Sequence, residues 1–190
     1  MTKPSSGMAV RLLLLISAAL VVLAVAAARG LSPTDLGLVW PAWGQVVVWL
    51  LLWVTWLVVT EAASKKLGFG SPEPWPAQRR DTLALKAAVV IVLAPLAEEL
   101  VFRGLLFQRL ESKLGAVAAV LITALLFSLL HLQYQRGEMA MIFLDGLVLG
   151  VARAGTGSVL LTALLHALSN AVAVYQRLSR RGASADSSTT

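Results

Sequence analysis

A chain of 190 residues that is 58% hydrophobic and only 14% charged, with mean hydropathy +0.79, is not a soluble domain, in which about a quarter of residues carry charge. Its net charge of +6 and pI near 10.3 do not point to nucleic acid, because the basic residues gather between apolar runs, where they orient helices and meet anionic lipid. Without cysteine, no disulfide, thiolate nucleophile or sulfur-ligated metal is available.

After a polar start at residues 1–7, Met8 to Ala28 is apolar except for Arg11 and long enough to span a bilayer. Its end, Ala26-Ala27-Ala28, resembles a signal-peptidase site, so cleavage is the rival reading. The apolar stretch from Leu12 nevertheless exceeds the roughly 7–15 residues of a signal h-region, which favours a retained span. A loop with Ser32-Pro33 and Asp35 leads to a second span, Leu38 to Thr60, with tryptophans towards both ends as in a headgroup belt. Glu61 to Thr82 is polar, with Lys65, Lys66, Arg79, Arg80 and three prolines, and reads as a cytoplasmic loop. The third span, Leu83 to about Phe107, is expected to continue as helix to Lys113, with Gly115 marking a turn. Ala116 to Leu132, a short Met139 to Ala152 and Val159 to Val174 complete the spans. The expected fold is an all-α, polytopic membrane helix bundle of about six transmembrane helices. It divides into residues 1–82 (two spans and a loop), 83–176 (a helical core) and 177–190 (a basic tail expected to be disordered).

Lysine and arginine set the orientation. Lys3, Arg11, Lys65, Lys66, Arg79, Arg80, Arg136, Arg177, Arg180 and Arg181 fall on one side, and Arg29, Arg109, Lys113 and Arg153 on the other. Both termini are therefore expected in the cytoplasm. The small, alanine- and leucine-rich composition suggests a bacterial cell membrane.

Polar chemistry inside these spans is sparse and ordered. Glu99 and Arg103 are i,i+4 in the favourable order of acid before base. Glu98 lies about 100° around the helix from Glu99, so one carboxylate is neutralised locally and the other faces elsewhere. Each charge at mid-bilayer costs roughly 2.5–3.5 kcal/mol. The chain has two histidines, and both fall within spans: Phe127 and His131 share a helix face, as do His166 and Asn170. If residues 114–115 form the tip of a helical hairpin, Glu98 and His131 lie at similar path lengths from it, hence at one depth. Pro95 is expected to bend the helix one turn before Glu98. A lone intramembrane histidine is ordinarily a helix–helix hydrogen bonder worth about 0.6 kcal/mol. Two of them with an acidic pair and Asn170 are better read as a functional site.

At these residues the chain resembles the CPBP family of intramembrane proteases, also called the ABI or type II CAAX-protease family. Its Glu-Glu-x-x-x-Arg, Phe-x-x-x-His and His-x-x-x-Asn motifs appear here in order as Glu98-Glu99…Arg103, Phe127…His131 and His166…Asn170. Ala94-Pro95, Phe102-Arg103-Gly104 and Gly146…Gly150 also look like the family pattern, and the resemblance covers about Leu83 to Val174. It implies an endopeptidase acting on a membrane-embedded or membrane-tethered peptide or protein. Glu98, backed by His131, would activate water; His166 and Asn170 would stabilise the oxyanion; Arg103 would fix Glu99. Whether a divalent metal such as zinc, held by Glu98, His131 and His166, takes part, or none does, stays open at this level. No His-Glu-x-x-His helix is present, and Asp145 is the only aspartate within a span, which excludes the soluble-zincin and two-aspartate routes. Asp145 is left to accept from an imidazole or to pair with Arg103. The rivals are an ion- or proton-coupled transporter and a non-proteolytic scaffold or immunity protein on the same fold. Substrate access from the cytoplasmic leaflet follows from the position of His131 near that end of its span.

Overall fold

The computed structural model describes residues 6–69, 75 and 80–186. The first five residues, most of the proline-bearing connection and the last four residues lie outside the described part. Six helices and no strand make up the described residues: α1 (Ser6–Ala28), α2 (Trp43–Lys66), α3 (80–114), α4 (116–129), α5 (Arg136–Thr156) and α6 (Val159–Asp186). Four helical stretches are long and apolar enough to cross a membrane, namely Trp43–Lys66, Arg80–Leu129, Arg136–Thr156 and Val159–Arg180, and Leu12–Ala28 is a shorter apolar helix. Large apolar side chains such as Leu13 (65% exposed) and Leu51 (65%) point outward, as suits lipid-facing walls. This is an all-α membrane helix bundle.

The 50-residue stretch from Arg80 to Leu129 is two limbs of a hairpin. Gly115 has φ 82° and ψ 166°, a conformation essentially confined to glycine. Phe102 and Phe127 would lie about 37 Å apart along a straight helix, yet their ring centroids are 5.4 Å apart. The chain therefore doubles back, and the sequence register around residue 115 holds.

Helix ends follow local chemistry. Pro41 precedes α2, which starts at Trp43 rather than Leu38. Helix α5 is longer than its apolar stretch, because Gln135 and Glu138 form a reciprocal capping box that adds a polar first turn. Gly157, at φ 67°, ends it. Ser158 then starts α6: its hydroxyl accepts from the Leu161 amide at 3.0 Å and donates to the Val39 carbonyl at 2.6 Å. Helix α6 does not stop at Val174. The tail expected to be disordered from residue 177 is helical to Asp186, its start tied by the Gln176 amide donating to Glu61 at 3.0 Å.

Two apolar cores hold the bundle. Val46 and Trp53 of α2 pack with Leu149 and Ala152 of α5 and Leu161 and Leu165 of α6. Val22 and Ala26 of α1 pack with Leu36, against Leu100, Val101 and Leu105 of α3. Between α4 and α5 the backbones come close: a Cβ at Gly146 or Gly150 would lie 3.1 Å from Ala124 or Val120 respectively, the small-residue contact that membrane helices favour. The loop before α2 is ordered by Ser32, whose amide and hydroxyl donate to Asp35 at 2.7 and 2.6 Å and hold that carboxyl below its usual range.

Candidate active site

Helix α3 is not a uniform α-helix. Around Val89–Leu93 and Leu100–Leu106 it widens into π turns, which often mark functional segments. In the first, the Ala94 amide reaches back five residues to Val89, and Pro95 has no amide to offer. The Val90 carbonyl left over accepts from Asn170 Nδ2 at 2.8 Å. In the second, the Phe107 amide reaches Phe102 instead of Arg103, and the Arg103 carbonyl accepts from Arg153 Nε at 2.8 Å. Two side chains from other helices thus satisfy the backbone groups that the wide turns release. The expected Pro95 bend is realised as a widening that recruits Asn170.

Between these turns lies the acidic pair. Glu99 and Arg103 are wholly buried and joined Oε1 to Nη1 at 2.8 Å. Arg103 Nη2 donates to the Gly146 carbonyl at 3.0 Å, and its guanidinium lies 4.8 Å from the Phe127 ring centroid. Both neighbours are opened to it by the close α4–α5 approach. Among the described residues Asp145 makes no hydrogen bond or ion pair with this arginine or with an imidazole. Its Oδ1 accepts from Trp56 Nε1 at 2.7 Å, because Gly146 already offers Arg103 a carbonyl within reach.

His166 bridges the two carboxylates. Its Nδ1 is 3.1 Å from Glu99 Oε1, and its Nε2 is 3.8 Å from Glu98 Oε2. A Glu99 carboxylate paired with Arg103 only accepts, so Nδ1 donates to it and the Nε2 of a neutral ring keeps its lone pair towards Glu98. His131 shows the same polarity. Its Nδ1 lies 2.8 Å from the Phe127 carbonyl, which also only accepts, so its Nε2 is the basic nitrogen. The two imidazoles flank one ring: Phe127 is 4.9 Å from His131 and 5.4 Å from His166, centroid to centroid.

Glu98 is 22% exposed, unlike its buried neighbour. Among the described residues no hydrogen bond or ion pair links it to His131, so the imidazole beside Glu98 is His166. A cavity of about 280 Å³ is lined by His131, His166 and Asn170 together with Asp145, Ser169 and Trp53; Glu98 is not among its lining residues and reaches it only through His166. Each histidine presents a nitrogen oriented as metal ligands usually are. Among the described residues, however, no three His, Cys, Asp or Glu side chains converge closely enough to hold a metal ion. The expected ligand set Glu98, His131 and His166 is not assembled, and no chemical step is derived through a metal.

Residues 80–172 match the family model described as type II CAAX prenyl endopeptidase, Rce1-like. That segment, just under half of the chain, is similar to the Rce1-like family. The match begins with α3 and covers every motif residue. The chain is also similar to an Escherichia coli protein described as an uncharacterized 24.3 kDa protein, with 43% identity over 89 residues. That similarity covers 43% of this chain and 39% of the relative, so well under half of either is shared. No solved structure matches the chain. The Rce1-like segment is completed from outside itself, since Trp53 of α2 walls the cavity and Trp56 donates to Asp145. Asp145 was visible in the sequence as a charge within a span, but its partner was not. Arg153 gave no signal beyond a basic residue at a helix end.

Proposed function

We propose that this chain is an intramembrane endopeptidase that hydrolyses a peptide bond in a membrane-embedded or membrane-tethered peptide or protein. The observation that carries the reading is His166 spanning Glu98 and Glu99, with Arg103 neutralising the inner carboxylate. Glu98 Oε2 and the His166 Nε2 lone pair are two acceptors 3.8 Å apart, a gap suited to one water donating to both. Attack by that water on the scissile carbonyl carbon passes its proton to this pair, Glu98 acting as general base. The leaving amine then takes the proton back as the C–N bond breaks. Asn170 has one amide hydrogen on Val90 and a second for the developing oxyanion. His131, on the far side of Phe127, supplies another basic nitrogen facing the cavity. The reading extends to a bacterial cell membrane, with both termini in the cytoplasm.

The test is cleavage of a membrane-tethered reporter in cells. Glu98→Ala and His166→Ala should each lower cleavage by about 10²–10⁴-fold, the usual weight of a general base, with protein levels unchanged for Glu98→Ala. Cleavage retained in Glu98→Ala rejects the assignment. Ion- or proton-coupled flux in liposomes without proteolysis would favour a transporter.

A further inference from the structure

Asp145 takes no part in the proposed hydrolysis, yet it lines the same cavity as His131, His166 and Asn170. Its recorded hydrogen bond is the one accepted from Trp56 Nε1, and among the described residues it forms no ion pair with lysine or arginine. An ionised carboxylate offers roughly four acceptor positions, and Asp145, which is half-buried, keeps accessible oxygen surface. Trp56 occupies one oxygen and holds the carboxyl group in place from α2. Among the described residues no further hydrogen bond to it is recorded, and Asp145 is one of the residues that line the cavity. The cavity's lining includes the apolar Trp53, Leu57, Met141, Ile142 and Leu149 as well as the polar His166, Ser169 and Asn170. Lys65, Arg177 and Arg180 also belong to the lining, together with the acidic Glu61 and Glu138, so it carries both signs, and Asp145 is the lining carboxylate held by Trp56.

A cavity that combines apolar wall residues with a carboxylate held in place by Trp56 suits a long side chain with an alkyl stem and a cationic head. We infer that Asp145 forms a cation-selective subsite that receives a lysine or arginine side chain of the bound peptide, the stem packing against Trp53, Leu57 and Met141. The peptide as occupant rests on the hydrolytic reading; binding of an alkylammonium at Asp145 does not require turnover. The two therefore fail separately.

The experiment follows thermal unfolding of the purified full chain in nanodiscs while n-pentylamine, or n-pentanol as its neutral counterpart, is titrated in. The amine is expected to stabilise the wild type at about tenfold lower concentration than the alcohol, the scale of one charge-assisted hydrogen bond. In Asp145→Asn that preference is expected to vanish, with Asp145→Ser as the second variant should the amide not fold. Equal titration by amine and alcohol in the wild type overturns the subsite, as does an amine preference that survives in either variant. In the reporter assay, a substrate with lysine in place of methionine beside the cleavage site should be cut about tenfold faster by the wild type and no faster by Asp145→Asn. Amine binding without any reporter cleavage would sink the hydrolase reading and leave the subsite standing.

Discussion

Glu99 receives both Arg103 and His166 on one oxygen, Oε1, while Oε2 and Arg103 Nε are buried without a partner. The pair is therefore a single-contact ion pair inside a low-dielectric bundle, and its stability depends on both members. Arg103→Met should leave Glu99 buried and uncompensated and destabilise the protein by about 3–5 kcal/mol, measured as thermal unfolding in detergent. Arg103→Lys should rescue little, because one ammonium cannot reproduce the planar fork that reaches Glu99 and Gly146 together. Asn170 has two separable roles. Asn170→Ala should cost about 1–3 kcal/mol through the orphaned Val90 carbonyl. In a Pro95→Ala background, where residue 95 regains an amide, that cost should shrink. An unchanged cost in the double-mutant cycle would argue against the capping role. The Glu99–Arg103 pairing was legible from i,i+4 spacing alone. The Asn170–Val90 bond was not, because it depends on a helix widening that side-chain periodicity does not encode.

The hairpin of α3 and α4 is the element that brings motifs far apart in sequence to one depth. Gly115 is open on all sides, with nothing within 4 Å of a Cβ placed there, so the cost of Gly115→Ala is conformational alone. It should be about 1–3 kcal/mol, read as a lower unfolding temperature, with the reporter cleaved more slowly as Phe127 and His131 shift. Arg153→Met tests the second wide turn. The Arg103 carbonyl would lose its donor, and a loss of about 1–3 kcal/mol is expected. The tip of the hairpin could be placed from the sequence because Gly115 interrupts an otherwise helical run. The length of α5 could not, since Gln135 and Glu138 look like loop residues until their capping bonds are seen. The same holds for the C-terminal end of α6, whose basic residues resemble a solvated tail.

At the scale of the molecule, the segment that matches the Rce1-like family model does not wall the whole cavity. Trp53 is fully buried against α5 and α6, and Trp56 orients Asp145, though α2 lies outside the family match. Trp53→Ala should cost about 3–5 kcal/mol as a large-to-small core change, measured by unfolding. Reporter fusions at the two ends should both report a cytoplasmic location, as the distribution of lysine and arginine predicts. The sequence resolved the membrane class and the order of motifs, because hydropathy and spacing are local properties. It did not resolve which imidazole stands beside Glu98, since that depends on how α6 is rotated against α3.

The i,i+4 pairing of Glu99 with Arg103 also bears on how the protein is made. A nascent α3 carries a counter-ion for Glu99, so this pair can enter lipid already neutralised, before any later helix has been synthesised. His166 and Asn170 arrive only with the final helix. A ribosome that stalls earlier would release a fragment that inserts yet lacks the His166 bridge between Glu98 and Glu99.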